Sequence, residues 1–289
     1  MTRLDVKKTY KLYIDGQFPR SESGRSYVVN DSKGRFLANA SQASRKDARD
    51  AVRAARAAFG GWSGRTAYNR GQVIYRIAEV LEGRREQFEA ELRAAEGVTA
   101  AMARKYVDAS IDRLVFYAGW ADKVAQVVGG ANPVAGPYFN LSTPEPTGVV
   151  AVLAPGGSSL LGLVSVVAPV VVTGCTAVVA ASPERPLAAI TLAEVLATSD
   201  VPGGVVNVLT GTVANTAPTL ASHMDVNAID LTGLAGDPDQ ARALEESAAD
   251  NLKRVRRAPA DEPDWTEAPG LDPMTWVLET KTVWHPIGV

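Results

Sequence analysis

From Pro146 to Pro183 the chain carries no charged residue. In a chain that is 21% charged overall, such a run has two physical explanations. It spans a bilayer, or it is buried on every side within a protein. Leu160 to Ala181 is long and apolar enough to raise the first possibility. Pro155-Gly156-Gly157, Pro169 and Gly174 interrupt it, and the residues around Val178 and Val179 read as a short strand. This punctuation favours a buried strand–helix–strand in a parallel sheet whose two faces are both covered. No membrane is expected as a partner.

The pattern then repeats. Val149–Leu153, Thr176–Ala180, Val205–Leu209 and Asn227–Leu231 read as strands. Helices are expected over 158–173, 187–198, 214–222 and 237–254. Strands spaced roughly 25 residues apart with helices between them predict βαβ units in a doubly wound, Rossmann-like α/β fold. Upstream the chain is helical. Tyr10 to Phe18 reads as a hairpin turning at Asp15-Gly16. Ser44 caps a helix, with Asp47 adding negative charge to its first turn. Ala48, Ala51, Val52, Ala55 and Phe59 form one face of it. A second helix is expected from Tyr68 to Ala95, stopped by Gly97, and a third from Ala100 to Val127. The stripe Ile111, Leu114, Val115, Tyr117 and Ala118 would bury the third.

Beyond Arg257 come Pro259, Pro263, Pro269 and Pro273, which predict a linker over 256–274 rather than a core element. Thr275 to Pro286 alternates as a strand, with Trp276, Leu278, Thr280, Thr282 and Trp284 on one face. A lone strand past a linker must pair with another, in this chain or in a partner.

Composition narrows the function classes. A net charge of −2 gives no reason to expect nucleic acid. One cysteine, Cys175, and two distant histidines, His223 and His285, supply no metal-ligand spacing. The single thiol suits a reducing compartment, and the charged, non-apolar start from Met1 to Lys8 is unlike a secretory signal, so a cytoplasmic location is expected.

Six blocks in order then carry a resemblance: LYIDGQF, AVRAARAAFGGW, FYAGWADK (Phe116 to Lys123), GPYFNLSTPEPTGVVAVLAP (Gly136 to Pro155), PGGVVNVLTG (Pro202 to Gly211) and AIDLTG (Ala228 to Gly233). Together they make the chain similar to the aldehyde dehydrogenases across residues 10 to about 250. The tail LETKTVWHP resembles the strand that completes that family's oligomerisation sheet. The resemblance implies a nucleotide-binding part over 1–136 and 149–255, and oligomerisation strands over 137–148 and 275–289. Tyr138–Thr143 and Pro144–Val149 would form the first strand pair of the oligomerisation sheet. Tyr138, Asn140, Trp276, Leu278, Thr280, Thr282 and Trp284 would be its contact residues.

The same resemblance places the family's nucleophilic cysteine and general-base glutamate in a catalytic part this sequence does not show, so no residue here is assigned a catalytic role. That chemistry needs a thiolate to attack the carbonyl and a base to activate water. Cys175 stands where the family has Asn before a core strand, and reads as a small buried hydrophobe rather than a nucleophile. The cofactor side is also altered. The Pro-Trp-Asn motif is Pro155-Gly156-Gly157, so Gly157 lacks the oxyanion donor. Losing one such donor typically costs about 2.7–4 kcal/mol of transition-state stabilisation. Ala180 replaces the lysine that holds the adenosine ribose, and Leu234 replaces the serine that meets the pyrophosphate beside Gly233. Gly211, Gly233 and Gly236 remain, and Gly233-x-x-Gly236 reads either as a tight turn or as a backbone phosphate cradle.

A degenerate set of cofactor positions follows: Pro155, Gly157, Ala180, Gly211, Gly233 and Leu234. No cofactor is expected, with NAD or NADP at most a weak ligand. Two functions remain open. One is a catalytically inactive structural or regulatory subunit that pairs with a full-length aldehyde dehydrogenase, or with itself, by β-augmentation. The other is an NAD(P)-binding oxidoreductase with residual activity on aldehydes.

Overall fold

The computed structural model describes residues 8–288. Residues 1–7 and 289, at the outer ends of the expected 1–136 and 275–289 segments, lie outside the described residues. The chain opens with β1 (Thr9–Tyr10), β2 (Ser26–Asn30) and β3 (Phe36–Ser41), which form a sheet in the order β1-β3-β2. The expected hairpin survives mainly as its turn. Ile14 and Gln17 exchange backbone hydrogen bonds of 3.0 and 2.9 Å around Asp15 and Gly16, whose φ angles are 52° and 74°. Two successive positive φ angles give the tight turn that strand twist favours. The flanks go elsewhere: β1 runs parallel to β3, and Tyr13 bridges Val208.

Helix α1 (Arg45–Ser63) starts as its sequence requires. The Ser44 hydroxyl accepts from the amides of Lys46 and Asp47, and the Asp47 carboxylate accepts from the Ser44 amide at 2.8 Å. Ala48, Ala51, Val52 and Ala55 are buried, while Phe59 is half-exposed. The expected second helix is two, α2 (Ala67–Gly83) and α3 (Arg85–Glu96). Gly83 is a poor helix former, and Arg84 leaves helical geometry at φ −115° with its amide bonded to Leu81. Gly97, at φ 72°, ends α3.

The expected third helix also divides, into α4 (Ala100–Trp120) and α5 (Val124–Val128). On α4, Leu114 and Tyr117 are buried as expected, joined by Ala103, Val107, Ser110 and Arg113. Val115 instead faces solvent. It lies one residue, about 100° of helical rotation, from Leu114 and so leaves the buried face.

The uncharged run lies at the centre of the molecule. Strand β4 (Gly130–Asn132) and strand β5 (Tyr138–Pro146) precede β6 (Val149–Leu153). Then follow α6 (Leu161–Val172), β7 (Thr176–Ala180), α7 (Leu187–Leu196), β8 (Val206–Leu209) and α8 (Val213–Ser222). Strand β9 (Ala228–Asp230), α9 (Pro238–Ala249) and β10 (Arg254–Arg256) complete the series. The five strands are parallel in the order β10-β9-β6-β7-β8. Every residue of β6, α6 and β7 is buried, which is why charge is absent there. No described helix is long and apolar enough to cross a membrane.

Two further features depart from expectation. Helix α9 stops at Ala249, and Arg254–Arg256 forms edge strand β10 rather than a helix end and the start of a linker. The last elements are α10 (Asp272–Thr275) and β11 (Leu278–Pro286). Trp276 thus sits at the end of a short helix and is not a strand residue.

Candidate functional site

The strand order reverses at β6, because the chain winds outward through β7 and β8 and then returns to β9 on the other side. In such sheets the crevice at the carboxyl ends of the strands is where ligands bind. Two turns frame it here, Pro155–Leu160 after β6 and Leu231–Gly236 after β9.

The first turn is held from within the chain. The Gly157 amide donates to Glu262 at 2.7 Å, and the Ser159 amide and hydroxyl donate to Glu96 at 2.8 and 2.6 Å. The Ser158 hydroxyl accepts from the Gly162 amide at 3.0 Å. Arg185 donates to the carbonyls of Gly156 and Gly157 at 3.1 and 2.8 Å. Two carboxylates therefore hold the turn that leads into α6.

In the second turn Gly233 is a packing residue. A Cβ there would run into the carbonyl oxygens of Leu153 and Ala154. Leu234 and Ala180 are buried and offer no side-chain polar atom to the crevice. Pro155 is buried at the first turn, and Gly211, at φ 123°, packs against Ala43 after β8. The structure thus gathers Pro155, Gly157, Gly233 and Leu234 around the crevice, with Ala180 and Gly211 at the ends of β7 and β8.

Asp230 was not singled out by sequence. It is fully buried at the end of β9 and accepts from the Thr232 amide and hydroxyl through Oδ1 at 2.9 and 2.5 Å. Its Oδ2 accepts no hydrogen bond and stands 3.9 Å from Arg256. Burial pushes its pKa above the ordinary carboxylate value, and Arg256 and Thr232 oppose that. The only signal in the sequence was one acid inside the apolar run AIDLTG.

Cys175 has no exposure, and burial pushes its thiol pKa up. Its Sγ lies 3.6 Å from the Val277 carbonyl, to which the Thr147 amide also donates at 2.9 Å. It faces away from the crevice, at the amino end of the sheet. Among the described residues no cluster of His, Cys, Asp and Glu could hold a metal ion.

A second candidate surface is the sheet β11-β5-β4. The expected pairing of Tyr138–Thr143 with Pro144–Val149 does not form. Strand β5 runs unbroken through Pro144 and Pro146, and Val149 belongs to the parallel sheet. The partners of β5 are β4, from Gly130 to Asn132, and β11, antiparallel over nine pairs from Leu278↔Pro146 to Pro286↔Tyr138. The tail thus pairs with its own chain. Asn140 is buried and accepts from the Asn132 side-chain amide at 2.5 Å, while Ser142 and Thr282 share a 2.9 Å hydroxyl bond. Tyr138 and Trp284 stack edge to face at 5.7 Å. Thr280 and Thr282 are exposed, and Leu278 is half-buried. The apolar residues of the tail are not all at the surface. Val277 is fully buried, and Trp276 packs against the core. Tyr138, Phe139, Val283, Trp284 and Ile287 are the exposed apolar groups of this surface.

Residues 18–257 match the model of the aldehyde dehydrogenase family. The chain belongs to the aldehyde dehydrogenase family. It is 31% identical to a putative aldehyde dehydrogenase, DhaS, of Bacillus subtilis over 86% of this chain and 50% of that one. It is 32% identical to a cytosolic aldehyde dehydrogenase of Elephantulus edwardii over 88% of this chain and 51% of that one. The fold superposes on an NAD+ complex of aldehyde dehydrogenase from Bacillus cereus with a TM-score of 0.81 and 26% identity, over 86% of this chain and 50% of that one. HpcC from Thermus thermophilus gives 0.81 and 27%, over 86% and 47%. The chain spans about half the length of these four relatives.

The Bacillus cereus relative holds NAD+, which sets the group that the crevice has to fit. The residues present do not fit it. Gly157, Ala180 and Leu234 place no side-chain donor in the crevice, and the amide of Gly157 already carries the carboxylate of Glu262. An anionic pyrophosphate would meet a negative charge where a bare helix end would offer a positive one.

Proposed function

We propose that this aldehyde dehydrogenase-family chain is a non-catalytic, cytoplasmic subunit that docks through its β11-β5-β4 sheet onto a complete aldehyde dehydrogenase. The observation that carries this reading is the outer edge of β11. Nine residues long, it has a strand on one side only, and Val283 and Trp284 beside it are 47% and 59% exposed. An unpaired edge flanked by apolar groups is a template for another strand. The fate of the thiol supports the non-catalytic half of the reading. A nucleophilic cysteine needs a lowered pKa and access, and Cys175 has neither.

Co-expression with a full-length family member, followed by native mass spectrometry, tests the docking. Mixed oligomers are expected. Only self-association would shift the reading to a homo-oligomer, and a lone monomer would remove it. Incubation of the isolated chain with an aldehyde and NAD tests the rest. No turnover is expected, and turnover abolished by Cys175→Ser would restore the oxidoreductase reading.

A further inference from the structure

The Pro-rich segment after β10 is not a loose linker. From Arg257 it passes the carboxyl ends of β9 and β6 and then follows α6 toward the amino end of the sheet. Glu262 binds the Gly157 amide with Oε2 and accepts the Trp265 indole N–H with Oε1 at 2.8 Å. Arg113, buried on α4, donates to the carbonyls of Trp265 and Glu267 at 2.8 and 2.7 Å and to the Ser165 hydroxyl at 2.8 Å. Met274 and Val277 have no exposure, and the Val277 carbonyl closes the path at Thr147.

Two glycines make room for this course. A Cβ on Gly157 would lie 2.8 Å from a Glu262 oxygen, and one on Gly162 would lie 3.1 Å from the Trp265 indole nitrogen. At Gly157 a Cβ would displace only the movable end of the Glu262 side chain, and at Gly162 it would press on Pro155 and Trp265 by a few tenths of an ångström. The position at which the family resemblance sets asparagine is glycine where the chain's own carboxylate stands. Four prolines between Pro259 and Pro273 stiffen the segment and lower the entropy cost of fixing it.

We propose that residues 257–277 are a strap that occupies the crevice in place of a dinucleotide, with Glu262 as its anionic anchor, Trp265 as its plug and Arg113 as its clasp. The strap satisfies the Gly157 amide in the turn that leads into α6 and supplies the negative charge a ligand phosphate would bring. It makes the chain self-occupied, whatever its docking partner. The strap and the β11 edge are separate features, so either reading can fail alone.

The test is calorimetric titration of NAD into the full chain. The wild type is expected to give no saturable binding below the millimolar range. Glu262→Ala combined with Trp265→Ala, in a protein that keeps its cooperative unfolding transition, is expected to bind NAD at least tenfold more tightly. Micromolar binding by the wild type, or no gain in the double variant, overturns the proposal. If the double variant does not fold, the charge-removing Glu262→Gln carries the test through hydrogen exchange. Faster exchange at the Gly157 amide and across 260–267, with the β6 and β7 amides unchanged, is expected. Unaltered protection there overturns the strap.

Discussion

The two sheets of this molecule are built on opposite principles. In the parallel sheet, β6 and β7 are buried at every position and carry no charge. In the antiparallel sheet, β11 reads Leu-Glu-Thr-Lys-Thr-Val-Trp-His-Pro and is exposed along nearly its whole length. Both faces of the first are packed within apolar clusters. The second joins β11 to β5 by nine backbone pairs, a Ser142–Thr282 bond and the Lys281–Glu145 ion pair, joins β4 to β5 by three pairs, and leaves aromatic groups in water. One region is core, and the other has surface to spare.

The largest contrast between them should come from tryptophan truncation. Trp62 is buried, and its indole N–H donates to the Val171 carbonyl at 2.8 Å at the end of α6. Trp62→Ala is expected to cost about 3–5 kcal/mol in denaturant unfolding. Trp284→Ala, which loses only an exposed edge-to-face contact with Tyr138, is expected to cost about 1 kcal/mol. Similar costs at both sites would erase the distinction.

The pH dependence of the parallel sheet sharpens it further. The pKa of Asp230 is raised by burial, so the folded state binds its proton more tightly than the unfolded state. Stability should fall as pH rises from the ordinary aspartate range through the raised folded value. Asp230→Asn should flatten that slope, measured as unfolding free energy against pH. A slope unchanged by the substitution would count against the buried charge. A smaller effect is expected at the start of α1, where Ser44→Ala removes a reciprocal cap and should cost about 1 kcal/mol.

The comparison also explains what could be read in advance. The parallel strands and their helices were legible, because continuous burial writes itself as continuous apolar sequence. Ser44 and Asp47 announced α1, and Gly97 announced the end of α3, since caps are local. What escaped was set by distant groups. Strand β4 is Gly-Ala-Asn, three residues with no pattern of their own, and forms because β5 lies beside it. Strand β10 is Arg-Val-Arg, which resembles a surface turn until β9 pairs with it. The strap looked like a linker because its partners, Arg113 and Gly157, lie more than a hundred residues upstream. Gly157 itself was legible as a lost donor, but the carboxylate that fills its place was not.

The docking claim is tested most directly at β11. Val283→Lys with Trp284→Lys changes only exposed positions, so the chain alone should keep its cooperative unfolding transition. In native mass spectrometry of the chain co-expressed with a complete aldehyde dehydrogenase, the wild type should appear in mixed oligomers and the double variant should not. Mixed oligomers that persist unchanged in the double variant would contradict the account.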